Sequence, residues 1–597
     1  MATSGTRKAV WIILGIFGVL ILVAVLGIAL LWIALRKGEP TIHNNSVLAL
    51  RVAGSLPDYT PDDPVKKFFG GPDQSLTGLV MQFKKAKLDN RIKAILLDVD
   101  MSGLGWGKAE ELRDAITDFR SSGKPVYAYI EFGMNKEYYI ATACDKIIVP
   151  PPGELFINGL AADVMFFRGS LDKLGVYPDI YQIGKYKSAG DMFTQKQMTD
   201  AHREYINSML DDLYGRYINT IAQARHKTPD EMRKLIDDAP YNAAKAKEVG
   251  LIDDTMYHDG VELQLKRLLG YKDTDAFAPV RGVDYRDVEP ESLGLNKGER
   301  IAVIYASGDI GSGSSENSPS GEQSIGSDTL SKALNDAAAD KSIKAIVLRV
   351  DSPGGSGLAS DIIWHAVAAA NQKKPVVVSM SDVAASGGYY ISASASKIVA
   401  QPSTITGSIG VVAGKPVLRG FYDWLGISNE YVLRGKNAGM FRETEKFTDE
   451  ERAKFEDWIK NTYYNDFVPK VAQGRKKDPQ YIDSVGQGRV WTGAQAKDRS
   501  LVDEFGGLDK AIEVAKQLAH IPADKGVERV ILPYPQTFLQ QLLSGNNENA
   551  NTEVEKQRMV FAALPEDARR ALRYMALMER MKNGESMMLM PFDVRVK

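Results

Sequence analysis

The residue with the clearest potential for chemistry is Ser408, which lies between two glycines in the segment 406–410 (TGSIG). A serine in so tight a turn can present its hydroxyl at the mouth of a pocket. The next backbone N–H, that of Ile409, can then stabilise an oxyanion. Short Gly/Ser motifs also occur in ordinary turns, so this motif alone does not assign a function. Ser408 is a candidate nucleophile whose support must come from the rest of the chain.

A glycine-rich segment, 351–357 (DSPGGSG), directly follows an apolar run and is the second candidate element. Consecutive glycines after a strand let another backbone approach closely and leave backbone N–H groups unhindered. We expect Gly354 or Gly355, together with Ile409, to donate to an oxyanion. An extended apolar peptide would then bind as an added strand beside this segment.

A serine hydroxyl needs a base to react near neutral pH, and lysine is the better candidate here. The histidines are scattered, and neither His365 nor His520 has the spacing expected of a partner for Ser408. Lys187, in the segment 184–189 (GKYKSA), is the expected base, and Lys436 is the alternative under a different alignment. An ordinary lysine has a pKa of ~10.4, so the base must be buried between apolar domain faces, where desolvation lowers its pKa.

An internal repeat of about 250 residues explains how such distant residues can meet. The segment 91–100 (RIKAILLDVD) recurs as 342–351 (SIKAIVLRVD), and the segments 124–126 (KPV) and 138–140 (YYI) recur at 374–376 and 389–391. Short β-branched runs alternate with helical segments in both copies. This pattern predicts an α/β domain with buried parallel strands and right-handed crossovers in each copy.

The two copies differ at the residues that could do chemistry. When the glycines are aligned, Leu160 of the first copy lies opposite Ser408. Counting from the shared Leu-Gly pair, Lys187 of the first copy lies opposite Ala438 of the second. Each copy therefore holds the residue that the other lacks, and we expect the site to form at the boundary between the copies.

The domain organisation follows from these patterns. We expect a short tail at 1–8, a transmembrane anchor at 9–35, the first α/β repeat at 40–270, a linker at 271–298, the second repeat at 299–525, and a C-terminal extension at 526–597 with a Met-rich amphipathic helix. The apolar run 9–35 contains 27 uncharged residues, which is enough to cross a bilayer with some tilt. Basic residues rather than a cleavage site close the run, so we expect a retained single-pass anchor with the body outside.

Composition excludes several classes of function. The chain has 74 basic and 76 acidic residues, so nothing favours a nucleic-acid partner. A single cysteine excludes an intrachain disulfide and a Cys-based zinc site, and the histidines lack metal-binding spacing. We expect no metal and no cofactor.

Four motifs together carry a family resemblance: 352–355 (SPGG), 385–390 (ASGGYY), 406–410 (TGSIG) and 186–188 (YKS). With them, nearly the whole chain resembles the signal peptide peptidase A, or protease IV, family of Ser/Lys serine proteases. The resemblance implies a ClpP/crotonase-like fold in each repeat, Ser408 as nucleophile and Lys187 as base. It further implies a homotetramer at the bacterial inner membrane, with its catalytic body on the periplasmic side and cleaved signal peptides as substrates.

The function expected from the sequence is therefore hydrolysis of apolar peptides through an acyl-enzyme. Two alternatives stay open at this point. A crotonase-type acyl-CoA enzyme would also use glycines after a strand as an oxyanion hole, and a non-catalytic membrane scaffold could use the duplicated fold only to form oligomers. Neither alternative explains why one copy keeps the serine and the other keeps the lysine.

Overall fold

The computed structural model describes residues 42–60, 74–315, 324–533, 586–590 and 595–596. The expected anchor at 9–35 and the expected amphipathic helix near 565–581 lie outside these ranges. Within them, no helix combines the length and the apolar character needed to cross a membrane.

Two parallel sheets with the same strand order form the centre of the protein, one in each repeat. In order across the sheet, the strands of the first repeat are Val280–Arg281, Ser46–Gly54, Ile92–Ser102, Val126–Tyr129, Lys146–Val149 and Asp254–Thr255. The corresponding strands of the second repeat are Val527–Leu532, Glu299–Ser307, Ile343–Ser352, Val376–Ala385, Lys397–Ala400 and Glu504–Phe505. All neighbours within each set pair in parallel. The equal order confirms that the chain contains two tandem α/β repeats.

The outer strand of each sheet lies beyond the boundary expected from the sequence. Val280–Arg281 falls within the expected linker, and Val527–Leu532 follows the expected end of the second repeat at 525. Each pairs with the first long strand of its sheet and so covers an edge that would otherwise expose unpaired N–H and C=O groups.

Strand Ile92–Ser102 shows why the apolar runs become buried central strands. Its alternate side chains point to opposite faces of the sheet, so Ile95 and Leu97 pack in one cluster while Ala94 and Leu96 pack in another. Helices cover both faces, which makes a nearly continuous apolar run favourable. The strand Ile343–Ser352 of the second repeat is buried on both faces in the same way.

Helices surround both sheets and begin at clear sequence signals. Capping boxes at Thr228 and Thr448 start two of them, each with a glutamate three residues later that returns the hydrogen bond. The helices of the first repeat and the segment after it are Leu76–Leu88, Trp106–Arg120, Asn135–Ala141, Arg168–Lys173, Asp191–Thr194, Asp200–Ala224, Pro229–Asp237, Ala243–Glu248, His258–Leu268, Gly282–Tyr285 and the 3-10 turn Pro290–Leu293. Those of the second repeat are Ser327–Ala339, Gly357–Lys373, Gly387–Ser392, Arg419–Leu425, Asp449–Asn461, the π-helical segment Thr462–Phe467, Val468–Arg475, Pro479–Val485, Gly493–Asp498 and Leu508–Leu518.

Short strands extend each repeat at the carboxyl end of its sheet. In the first repeat they are Phe132–Met134, Glu154–Phe156 and Tyr241–Asn242, and in the second they are Ile405–Gly407 and Val490–Thr492. Ile405–Gly407 pairs in parallel with the end of the strand Val376–Ala385. This pairing brings the turn that contains Ser408 beside the end of that strand.

A third, mixed sheet joins the two repeats. Its strand order is Ser324–Gly326, Asp309–Gly311, Gly354–Ser356, Met587–Leu589, Val411–Val417 and Tyr177–Ile183. Only the last of these comes from the first repeat, and it pairs antiparallel with Val411–Val417 from Tyr177↔Val417 to Ile183↔Val411. A further two-stranded pair joins Ala162–Asp163 to Arg595–Val596.

Buried charges also connect the repeats. The guanidinium of Arg349, which is fully buried in the second repeat, donates to Asp58 at 2.8 Å and to Glu111 at 2.7 Å, both from the first repeat. Lys108 of the first repeat lies 2.7 Å from Asp351 of the second. Removing one partner of such a buried set leaves an uncompensated charge, so the network favours one relative placement of the repeats.

Candidate active site

Lys187 reaches the second repeat because of the antiparallel pairing between Tyr177–Ile183 and Val411–Val417. The chain leaves that strand at Ile183 and turns back across the boundary. Tyr186 N–H then donates to the carbonyl oxygen of Gln487 at 2.8 Å. Glycine is required at position 488, where φ is +74° and a Cβ would lie 2.5 Å from Cα and Cβ of Lys187.

The side-chain amine of Lys187 lies between two serines of the second repeat. Its Nζ is 2.9 Å from Ser386 Oγ, 3.2 Å from Ser408 Oγ and 3.2 Å from the carbonyl oxygen of Ser408. Lys187 is 1% exposed, and burial lowers the pKa of its amine well below the ordinary value. An amine kept neutral in this way has a lone pair that can accept a hydroxyl proton.

The other candidates for the base lie elsewhere. The side chain of Lys436 is 72% exposed and forms an ion pair with Glu450 at 2.7 Å, so it is a surface residue. His365 and His520 are exposed as well. In the part of the chain that the structure describes, no group of three or more His, Cys, Asp or Glu side chains is arranged to hold a metal ion.

Ser408 lies where the sequence predicts it, at a fully buried turn with φ of 50°. Its N–H donates to the carbonyl oxygen of Arg489 at 2.7 Å, which fixes the turn. The side chain of Ile409 packs in the main core of the second repeat, and its carbonyl oxygen accepts from Gly488 N–H at 2.7 Å. Ser408 thus presents both its hydroxyl and its carbonyl oxygen to Lys187.

Ser386 is the residue that the sequence reasoning missed. It stands between the strand Val376–Ala385 and the helix Gly387–Ser392, with φ of 53° and ψ of −110°. A non-glycine residue in this region costs on the order of 1–3 kcal/mol and needs support from its surroundings. A serine on a strained strand-to-helix turn is the arrangement that presents a nucleophilic hydroxyl in many hydrolases.

The glycine-rich segment lies directly against this turn. A Cβ on Gly387 would be 3.1 Å from Gly354 Cα and 3.1 Å from Gly355 N. The two backbones are therefore in contact, close enough for an N–H from each to face one oxygen atom. Gly354 and Gly355 remain the predicted oxyanion donors, and Gly387 is the residue that directly follows Ser386.

A sequence signal for Ser386 was available. It lies in the segment 384–388 (AASGG), which follows a buried strand, and the residue 251 positions earlier (386 − 135 = 251) is Asn135. The first copy therefore lacks this serine just as it lacks Ser408. Comparison of the copies alone does not say which serine is the nucleophile.

Comparison with known proteins identifies the family. The sequence profile of Peptidase family S49 matches residues 118–272 and 368–522, one match in each repeat. The chloroplastic serine protease SPPA of Arabidopsis thaliana is 37% identical over 515 residues, which cover 86% of this chain and 74% of that protein. Protease 4 of Salmonella typhi is 34% identical over 459 residues, which cover 75% of this chain and 73% of that protein.

Among solved structures, a similar chain is a mutant of the 1510-N membrane-bound stomatin-specific protease in complex with a substrate peptide. It has a TM-score of 0.26 and 16% sequence identity, and the similarity covers 41% of this chain and 97% of that chain. The sequence matches leave no basis for the acyl-CoA enzyme or the non-catalytic scaffold. The chain belongs to Peptidase family S49, and it is a serine protease.

Proposed function

We propose that the protein hydrolyses apolar peptides through an acyl-enzyme, with Lys187 as general base and Ser408 as nucleophile. The observation that carries this proposal is the 3.2 Å separation between Lys187 Nζ and Ser408 Oγ in a fully buried setting. The pKa of the Lys187 amine is lowered by burial, so the amine is matched to proton transfer nearer neutral pH.

The reaction follows from these positions. Ser408 Oγ attacks the peptide carbonyl carbon while its proton passes to Lys187 Nζ. The resulting ammonium returns the proton to the leaving amine as the C–N bond breaks, which leaves an ester on Ser408. Water then attacks the ester, Lys187 accepts a proton from that water, and Ser408 leaves with the proton restored.

Hydrogen-bond counting supports Ser408 as the nucleophile and gives Ser386 a positioning role. A neutral amine has two N–H donors and one lone pair. Its donors can be used on Ser386 Oγ, 2.9 Å away, and on the carbonyl oxygen of Ser408, 3.2 Å away, while the Ser386 hydroxyl donates to the carbonyl oxygen of Gly410 at 3.5 Å. The lone pair is then left for the hydroxyl of Ser408, which is 3.2 Å away.

The glycine-rich segment supplies the proposed oxyanion donors. It lies against Gly387, the residue after Ser386, and the two backbones are in contact. In this proposal an N–H of Gly354 or Gly355 joins that of Ile409, the residue after Ser408, in an oxyanion hole. Ser386 is a positioning residue that holds the amine.

The membrane location, the substrates and the assembly of the protease are also proposed. The uncharged run 9–35 supports a single-pass anchor, and the family resemblance supports a bacterial inner-membrane location with the body on the periplasmic side. The same resemblance supports cleaved signal peptides as substrates and a homotetrameric assembly. The domain boundaries are those expected from the sequence, with each repeat extended to its outer strand.

Three variants test the catalytic assignment: Ser386→Ala, Ser408→Ala and Lys187→Met, assayed by cleavage of an apolar peptide. We expect Ser408→Ala and Lys187→Met to lose on the order of 10³-fold or more in kcat. We expect Ser386→Ala to keep measurable turnover, with a loss of about 10- to 100-fold, because the amine keeps its hydrogen bond to the carbonyl oxygen of Ser408. Wild-type turnover in Ser408→Ala, together with complete loss in Ser386→Ala, would move the role of nucleophile to Ser386.

A further inference from the structure

A short piece of the C-terminal extension lies beside the glycine-rich segment. Residues Met587–Leu589 form a strand that pairs antiparallel with Gly354–Ser356. Two more hydrogen bonds extend the pairing at its ends: Gly357 N–H donates to Ser586 O at 2.9 Å, and Met590 N–H donates to Pro353 O at 2.9 Å. The segment 586–590 thus occupies the position in which the sequence analysis expects a peptide to bind.

The segment has a strand on each side. Its second neighbour is Val411–Val417, through the pair Val412↔Met587. Adjacent strands are about 4.8 Å apart, so without this segment the strands Gly354–Ser356 and Val411–Val417 would face each other across a slot roughly 9.6 Å wide. A slot of that width fits one extended peptide, which would be hydrogen-bonded along both edges.

The side chains of the segment occupy separate apolar subsites. Met587 and Leu589 point to the same side and pack in a cluster with Leu171, Met192 and other apolar residues. Met588 packs into the main core of the second repeat. All of these side chains are buried, so the segment fills the slot with specific side-chain packing as well as backbone hydrogen bonds.

The end of the segment leads to the catalytic residues. Continuing the antiparallel register from Val412↔Met587 places Met590 opposite Ile409, one residue from Ser408. The Met590 side chain is 8% exposed and lies in a cluster with Ala385, Tyr205 and Met209. Ala385 immediately precedes Ser386, which contacts the amine of Lys187, so Met590 occupies the subsite beside the catalytic pair.

The chain is held again beyond this point. Arg595–Val596 pairs antiparallel with Ala162–Asp163 of the first repeat. The extension therefore pairs with the second repeat through Met587–Leu589 and with the first repeat through Arg595–Val596. These two attachments keep the segment 586–590 at a high local concentration.

We propose that residues 586–590 are an intramolecular occupant of the peptide groove, so that the full chain is held closed until this segment is displaced or removed. The proposal rests on the proposed function, because it takes the groove beside Ser408 to be the substrate site. An attached segment competes at an effective concentration in the millimolar range, so it raises the apparent KM for a free peptide. The position of Met590 also indicates that the subsite beside the nucleophile accepts an unbranched apolar side chain such as methionine.

The first test measures binding without cleavage. In a Ser408→Ala background, the full chain and a chain ending at residue 585 are titrated with a fluorescent peptide of sequence SMMLMA. We expect the shortened chain to bind at least about tenfold more tightly, because its groove is open. Equal affinity of the two chains, within about twofold, would overturn the proposal.

A pair of full-length variants provides the check if the shortened chain does not fold. Met590→Asp places a charge in an apolar subsite and should release the segment. Met590→Leu conserves the side-chain volume and should leave the segment bound. In the otherwise wild-type enzyme we expect KM to fall about tenfold for Met590→Asp and to change less than twofold for Met590→Leu. An unchanged KM in Met590→Asp would contradict occupancy.

The two assays also separate this proposal from the proposed function. Tighter binding by the opened forms, with no peptide cleavage by any form that retains Ser408, would uphold occupancy and reject the catalytic assignment. Cleavage that is independent of the segment would uphold the catalytic assignment and reject occupancy.

Discussion

The amine of Lys187 lies 2.9 Å from the hydroxyl of Ser386, although the two residues are 199 positions apart and belong to different repeats. A strand from each repeat, Tyr177–Ile183 and Val411–Val417, pairs along its length to bring them together. Neither repeat contains both residues. The duplication has therefore produced one shared site rather than two independent ones.

The burial of Lys187 predicts a pH-dependent cost in stability. Its pKa is lowered in the folded protein, so between that pKa and the ordinary value of 10.5 the unfolded chain binds a proton that the folded chain does not. The free energy of unfolding consequently rises with pH through this window. The loss of stability caused by burying Lys187 is largest at the acidic end of the window and below it. We expect Lys187→Met to raise the free energy of unfolding at pH 7, measured by denaturant titration.

The same difference should shrink as the pH approaches 10.5, where the lysine is neutral in both states. A Lys187→Met variant that is less stable than the wild type at pH 7, or an advantage that grows with pH, would contradict a buried neutral amine. Lys436→Met is the control. It removes an exposed ion pair, so it should change stability by less than about 1 kcal/mol at either pH.

Gly488 is expected to matter through its contact with Lys187. In Gly488→Ala the new Cβ would lie 2.5 Å from the Lys187 backbone, and φ is +74°. Gly426 is a matched control, since φ is +73° and nothing lies within 4 Å of its Cβ position. Both substitutions should cost about 1–2 kcal/mol through the left-handed backbone.

Only Gly488→Ala should also displace the base, and we expect its kcat to fall on the order of 10²-fold while that of Gly426→Ala stays near wild type. Thermal unfolding and peptide-cleavage rates on both proteins separate the two effects. Equal activity of the two variants would mean that Gly488 has no role in positioning Lys187.

Glu110 predicts a second pH effect at the boundary between the repeats. Its carboxylate accepts from Ser403 Oγ at 2.7 Å and from Ser403 N–H at 2.9 Å, and burial raises its pKa from 4.5 to about 7. Between these values the folded protein binds the additional proton, so stability falls as pH rises and the full cost is present above pH ~7.

Glu110→Gln can keep both contacts to Ser403 without carrying a charge. We expect it to raise the free energy of unfolding by on the order of 2–3 kcal/mol at pH 8, and by nothing below pH ~4.5. Urea titrations at pH 8 and pH 4.5 make the comparison. A Glu110→Gln variant without an advantage at pH 8 would show that the carboxylate is well stabilised in the folded state.

Much of the fold follows from the sequence because the chain contains two copies of the same domain. The offset between 91–100 and 342–351 identifies the repeat, and the apolar runs identify the central strands that the structure shows. Lys187 was also identifiable, because a base must be buried near the boundary and the first copy holds a lysine there. These inferences depend on local composition and periodicity, which sequence reports directly.

The choice between Ser386 and Ser408 depends on geometry that the sequence does not report. Both serines lie beside glycines and both are replaced in the first copy, by Asn135 and Leu160. Both also have a positive φ, of 53° and 50°, so what distinguishes them is the hydrogen bonds around one amine, which arise only when three distant segments pack together. The strand formed by Met587–Leu589 was missed for the same reason, because its partners lie more than 170 residues away (587 − 412 = 175).

Covalent trapping tests the central claim most directly. The full chain and the chain ending at 585 are treated with a fluorophosphonate, digested and mapped by mass spectrometry, with Lys187→Met treated in parallel. The account predicts a single adduct on Ser408, faster in the shortened chain and lost in Lys187→Met. An adduct on Ser386, or labelling of Ser408 at an unchanged rate in Lys187→Met, would contradict it.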